Sequence, residues 1–314
     1  MTDITSKPPT EAVLAPDVAT PEVVPAGVPP KQGKPASLWS DAWKELRRKP
    51  TFVISAVIII VMVVMAAVPT LFTSVDPREC SLLNALQPPS AEHWFGFDLQ
   101  GCDYYSRTIH GARNSVAIGL VVTFFASLIA VTLGSLAGYK GGWIDSSLAR
   151  LADIFFAIPL ILAGIVLLNA LGSKSVWTVS AVLIVFGWPT MLRLMRSSVL
   201  SVRELDYVDA ARALGASDWR IITRHILPNG ITPVVVYATI TVGVVISAEA
   251  TLSFLNVGLQ LPAISWGLMI SVAQNRILEA PHLLFFPGLF LSITVFSFIL
   301  MGDALRDALD PKLR

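Results

Sequence analysis

Six stretches of the chain stay apolar for about the length that crosses a bilayer, roughly 20 residues. They run over approximately 52–72, 115–138, 149–171, 176–195, 231–255 and 283–302. None has the strict alternation of a membrane β-strand, and a helix satisfies its own backbone groups inside lipid. The pattern predicts an all-α polytopic membrane protein with six transmembrane helices. The fourth stretch is the least regular, because Pro189 and Arg193 interrupt its end. Two polar connections, about 73–113 and about 196–230, are long enough to hold structure of their own.

The apolar pattern begins late. Residues 1–36 contain eight prolines and no aromatic residue. Such a segment buries too little surface to offset its ordering entropy and is expected to be a disordered cytoplasmic tail, or a Pro-rich ligand for a partner domain. It has no apolar run followed by a small-residue cleavage site, so it does not read as a signal peptide. Residues 37–50 differ. Leu38, Trp39, Ala42, Trp43 and Leu46 recur at helical spacing, with Lys44, Glu45, Arg47, Arg48 and Lys49 on the other side and Pro50 at the end. An amphipathic elbow helix lying on the membrane surface is expected, against the alternative of a plain linker. The spanning domain then covers 51–314, with its core at 111–303.

Composition agrees with this pattern. Of 314 residues 54% are hydrophobic and only 14% charged, where soluble domains run near ~25% charged. A typical water-soluble enzyme is excluded. A net charge of +1 leaves no footprint for nucleic acid. The distribution of basic residues sets an orientation. With the tail inside, Lys44, Arg47, Arg48, Lys49, Lys140, Arg150, Arg193, Arg196, Arg203, Arg212, Arg220, Arg224, Arg306, Lys312 and Arg314 are cytoplasmic. Only Arg78, Arg107, Arg113, Lys174 and Arg276 are then outside. The positive-inside rule favours this arrangement, which puts both termini in the cytoplasm.

The inside connection, 196–230, is the most informative part of the chain. Asp206 to Leu214 is expected to form a short helix ended by Gly215, with Ser217 capping a second helix that Pro228 and Gly230 end. Ala210, Ala211 and Ala213 give the first helix a surface that another protein can approach closely. An ordinary surface hairpin is the alternative.

The spacing Asp209-Ala210-Ala211, three residues, Gly215, then Leu227-Pro228 resembles the cytoplasmic signature of ABC importer permeases. In that family the pattern runs Glu-Ala-Ala, three residues, Gly, nine residues, Ile, one residue, Leu-Pro. Asp209 replaces Glu and keeps the carboxylate, while His225 stands at the Ile position and Ile226 follows it. Residues 93–120 (HWFGFDLQGCDYYSRTIHGARNSVAIGL) resemble the start of the core in the C-type permease subunit of dipeptide and oligopeptide importers. Phe97 and Val116 replace its usual Thr and Leu. Residues 249–270 resemble the family's segment after the fifth span, with Asn256 and Leu261 in place of Gly and Pro, and 302–314 resemble its C-terminus. The resemblance covers about 37–314.

The resemblance implies a type I importer permease in the bacterial cytoplasmic membrane that translocates dipeptides or oligopeptides by alternating access. Its implied partners are a homologous second permease, two cytoplasmic ATPase subunits or domains, and an extracellular or periplasmic peptide-binding protein. A helix of the inside loop docks into each ATPase, so Asp209, Ala210, Ala211, Gly215, Ala216, Ser217 and Trp219 are the candidate coupling residues. The same subfamily serves nickel, glutathione and other small solutes, which is the alternative within transport. A membrane enzyme or a scaffold is the alternative outside it.

No chemistry of the chain's own is legible. Gly172-Ser173-Lys174-Ser175 lacks the Gly-x-x-x-x-Gly-Lys spacing of a phosphate-binding loop. ATP and Mg are therefore assigned to the partners, and no cofactor to this chain. His93, His110, His225 and His282 form no metal-spaced pair, and no nucleophile elbow is present, so no catalytic or metal residue is assigned. Glu249 lies deep in an apolar run, where an ionisable group is costly. It is a candidate for the translocation pathway, or a structural partner for an Arg or for backbone at a helix break. Asp153 is expected to pair with Arg150 at i,i+3, and Gly134 and Gly138 have the spacing for close helix packing. Cys80 and Cys102 both fall outside the cytoplasm, where they form either a disulfide or two free thiols.

Overall fold

Every regular element in the computed structural model is helical, and the structure describes residues 43–309. The tail at 1–36, residues 37–42 of the expected elbow and the C-terminal 310–314 lie outside the described residues. Of the expected elbow helix a turn at 43–46 is described, followed by a bend at 47–48. Leu46 is buried in a cluster with Phe52, Ala304 and Ala308, and Trp43 meets Phe52 edge-on at 6.1 Å. Pro50 opens the next helix rather than closing the elbow, because its missing N–H costs nothing at a first helical turn.

Helix α1 is Pro50–Ala67, ending before Pro69 rather than at the expected 72. Helix α2, Tyr104–Lys140, has 37 residues, about 55 Å at 1.5 Å per residue. It begins well before its apolar part, because Asp103 caps it: the Asp103 carboxylate accepts from Ser106 N at 2.7 Å. The third expected span, 149–171, is not one helix. Helices α3 (Gly142–Ala157) and α4 (Leu160–Leu171) meet at an 84° bend. Pro159 causes it by forcing Ile158 out of helical geometry, to φ −98 and ψ 117. At 12 residues, or about 18 Å, α4 alone is too short to cross.

Helix α5, Val176–Arg203, continues through Pro189 and past residue 195, so the first eight residues of the expected inside loop are helical. Helix α6 is Asp206–Ala213. Helix α7, Asp218–Ile221, runs on through a π-helical turn at Ile222–Ile226 into Leu227–Gly230. Pro228 does not end this run as the sequence suggested; it follows directly on the π-helical turn, and the run ends at Gly230. Helices α8 (Thr232–Phe254), α9 (Trp266–Ala273) and α10 (His282–Leu309) complete the order. Among the described residues five helices are long and apolar enough to cross a membrane, and six spans result when the bent pair counts as one.

Helix α2 is the central post, lying along α5. A Cβ on Gly134 would sit 2.8 Å from Leu192 O and from Met195 Cβ, and one on Gly138 2.8 Å from Val199 Cβ. Only glycine permits that approach, and the contact buries Ala126, Ala130, Met191, Leu192, Met195 and Val199 completely. Where α3 lies beside α5, Asp153 pairs with Arg193 across the two helices and not with Arg150 in its own helix. The outer faces stay apolar: Ile54, Val57 and Ile60 of α1 and Phe124 and Leu128 of α2 are exposed. Water would not tolerate a continuous apolar surface of that kind, and lipid does.

Candidate functional site

The hairpin α6–α7 stands on a rigid base. Val208 of α6 is fully buried with Ile221 and Ile226 against Val202 of α5. Ile226 is fully buried, whereas His225, at the position where the family pattern has Ile, is half-buried. Arg203 Nη1 donates to Gly138 O at 2.8 Å, and Ser198 Oγ donates to Gly230 O at 2.7 Å, joining α5 to α2 and to the end of the loop.

Above that base α6 is exposed and electrostatically matched to its dipole. Asp206 and Asp209 sit in its first turn and Arg212 in its last. Arg212 Nη1 donates to Asp209 Oδ1 at 2.6 Å. The helix ends in a Schellman motif: Ala216 N donates to Ala211 O at 3.1 Å and Gly215 N to Arg212 O at 3.0 Å. Gly215 has φ +78, and a Cβ there would meet nothing within 4 Å. The position needs glycine for its left-handed backbone and not for space. Ser217 Oγ accepts from Arg220 N at 3.4 Å and starts α7. Leu214 is 88% exposed and Trp219 74% exposed. Asp209, Ala210, Gly215, Ser217 and Trp219 are exposed on this hairpin, and Ala211 and Ala216 are half-buried.

Asp218 carries a feature not visible in the sequence pattern. Its carboxylate accepts from Tyr139 Oη at 2.8 Å and pairs with Lys140, both at the end of α2. The Lys140 ammonium, with Tyr139, holds the Asp218 carboxyl below the usual carboxylate range. The hairpin is thus tied to the central post as well as to α5. The partners lie 78 and 79 residues apart, so local spacing gave no signal.

Glu249 lies elsewhere, 17 residues into α8, about 26 Å along the helix from its start beside the hairpin. It is completely buried. Ser253 Oγ donates to its Oε1 at 2.8 Å, Ser265 Oγ to Oε1 at 3.1 Å and Ser115 Oγ to Oε2 at 3.3 Å. Each serine also accepts from a backbone amide: Leu259 N at 3.0 Å, Leu268 N at 3.2 Å and Trp266 N at 3.2 Å, respectively. The carboxyl group thereby organises the irregular chain between α8 and α9 and fastens it to α2. No arginine takes part in this cage, and the carboxyl has no exposed surface in this chain.

At the other end of α2, Cys80 and Cys102 are joined by a disulfide that closes the segment leading into the helix. Asp98 braces the same segment, accepting from Gln100 N, Cys102 N and the Arg107 guanidinium. His93 Nδ1 lies 2.8 Å from Asp103 Oδ2. Lys174, in the short loop before α5, donates to Asn256 O at 3.0 Å.

Two families match this sequence. Residues 130–314 match the binding-protein-dependent transport system inner membrane component, and residues 37–89 the N-terminal TM domain of oligopeptide transport permease C. The oligopeptide transport system permease protein OppC of Bacillus subtilis is 40% identical over 90% of this chain and 92% of its own length. The dipeptide transport system permease protein DppC of Alkalihalophilus pseudofirmus is 40% identical over 94% of this chain and 96% of its own. The glutathione transport system permease protein GsiD of Pectobacterium atrosepticum is 38% identical over 88% and 92%. Among solved structures, an inward-facing MetNI methionine ABC transporter chain matches with a TM-score of 0.54, at 21% identity, over 64% of this chain and 95% of that one. That likeness is one of fold.

Proposed function

Since the chain belongs to the binding-protein-dependent transport system inner membrane component family, we propose that it is the C-type permease subunit of an ATP-driven importer of dipeptides or oligopeptides. It is a multi-pass membrane protein, and the proposed orientation has both termini in the cytoplasm. Its proposed partners are a homologous permease, two ATPase subunits or domains that hold ATP and Mg, and an extracellular or periplasmic peptide-binding protein. The observation that carries the reading is the exposed, Schellman-ended α6, built on a fully buried Val208.

A helix that transmits force must be short, exposed and unable to slide on its own protein. Val208 seats this one in the core beside α5, and Asp218 ties the helix that follows it to α2. Closure of two ATPases around bound ATP would draw such a helix inward, and α2 and α5 would follow as bodies packed through Gly134 and Gly138. No bond is made or broken on this chain.

The test uses the complete complex in proteoliposomes with labelled peptide. Wild type is expected to take up peptide with ATP and binding protein present. Gly215→Val forces a β-branched residue to φ +78 and is expected to keep ATPase activity while losing uptake. Full uptake by that variant would refute coupling through α6. Relatives named for glutathione, at 38% identity, favour a second reading as a glutathione importer. ATP-dependent uptake of glutathione and not of peptides would establish it.

A further inference from the structure

A cavity of about 600 Å³ opens at the end of α2 opposite the hairpin, lined by Thr73, Arg78, His110, Arg113, Asn114 and Ile264 among others. That volume lies in the range of small-ligand sites. Its walls are fixed. Asn114 Nδ2 donates to Ile264 O at 2.7 Å, Ser106 Oγ to Val75 O at 2.6 Å, and His110 Nδ1 to Ser106 O at 2.9 Å.

Its charges are uncommitted. Among the described residues neither Arg113 nor Arg78 has a carboxylate partner, although both are exposed. The one carboxylate in the lining, Asp76, accepts from the backbone N of Arg78 at 2.8 Å and not from a guanidinium. Arg107, six residues before Arg113 on α2, differs: it is half-buried and paired with Asp98. Arg113 ends the polar connection, two residues before the apolar stretch, where a charged side chain stands in water at the membrane face. Two guanidinium groups against one carboxylate leave the cavity net positive, and each presents a planar fork that fits a carboxylate.

We propose that this cavity is a carboxylate-reading site at the outer mouth of the pathway, where Arg113, with Arg78, meets the C-terminal carboxylate of a peptide in transit. The proposal rests on the peptide-import reading. Arg113 stands on α2 and Arg78 two residues before the disulfide-bonded Cys80, and both line the same cavity, so one carboxylate there is offered two guanidinium groups. An acidic side chain of the second permease is the competing occupant.

The experiment follows uptake by the complete complex in proteoliposomes. The probes are an alanine tripeptide and its C-terminal amide, each loaded on the binding protein, with uptake expressed per loaded binding protein. Wild type is expected to import the free acid more efficiently. Arg113→Met should lower kcat/KM for the free acid about tenfold, the worth of one charged hydrogen-bonded contact, and leave the amide within about twofold. Arg113→Lys should restore much of the loss. Equal loss for both probes, or no loss for either, overturns the proposal. Failure of Arg113→Met to co-purify with the second permease overturns it in favour of a subunit contact. No ATP-dependent uptake of either probe by wild type overturns the peptide-import reading itself, and this site with it.

Discussion

Replacing Glu249 by Leu removes the acceptor for three buried hydroxyl donors without opening a large cavity. Ser115, Ser253 and Ser265 would each lose their partner in a region with no exposed surface. An unsatisfied buried group costs about 1–3 kcal/mol. Some hydroxyls can turn to a carbonyl in the preceding helical turn, so the total should be about 3–5 kcal/mol, in the range for breaking a buried polar network. Glu249→Gln keeps the shape and one acceptor oxygen, and should cost about 1–2 kcal/mol. The assay is thermal unfolding of the purified complex in detergent, followed by intrinsic fluorescence. Trp266 is a reporter inside the cage, with its backbone N bonded to Ser115 Oγ and its indole N–H to Thr108 O at 2.9 Å. A large downward shift for Leu, on the order of 10 °C, and a smaller one for Gln are expected. Leu melting with wild type would refute the cage. A Gln variant of wild-type stability that loses uptake would return Glu249 to the pathway.

Two further outcomes are expected. Cys80 and Cys102 are 22 residues apart, and opening that loop should weaken the segment by roughly 3 kcal/mol on the chain-entropy account. The double Cys→Ser variant should therefore be cleaved faster between residues 73 and 103 in limited proteolysis, and identical cleavage would count against the clamp. Asp218→Asn removes the charge that pairs with Lys140, so amide exchange across 214–224 should quicken at neutral pH. Because the native carboxyl is held below its ordinary value, the contact is complete at neutral pH. It is lost only as pH falls through that lowered value. Exchange equal to wild type at neutral pH would refute the latch.

What was legible in the sequence depended on how far apart the responsible residues lie. Hydropathy located the apolar stretches, since burial in lipid is a property of the local run. It misplaced helix ends, because a helix does not stop where the bilayer does: α2 starts at Tyr104 on its Asp103 cap, and α5 runs on to Arg203 as an amphipathic helix. The break at Ile158-Pro159 had a local signal in the proline, outweighed by the continuous apolar run around it. Gly215 was readable because its demand is a backbone conformation of its own residue. Asp153 was misassigned to Arg150 because its partner, Arg193, is 40 residues away. The serines around Glu249 could not be read, since two of the three come from 16 and 134 residues away.

Helix α2 is fastened at both ends, by the disulfide-closed segment and Asp103 cap at one and by Asp218 on Tyr139 and Lys140 at the other. Unbroken over 37 residues, it acts as a lever arm. A rigid rod of about 55 Å that tilts by about 5° about one end displaces the other by about 5 Å. A pull at the hairpin therefore needs no relay of rearranging side chains to be felt at the opposite mouth.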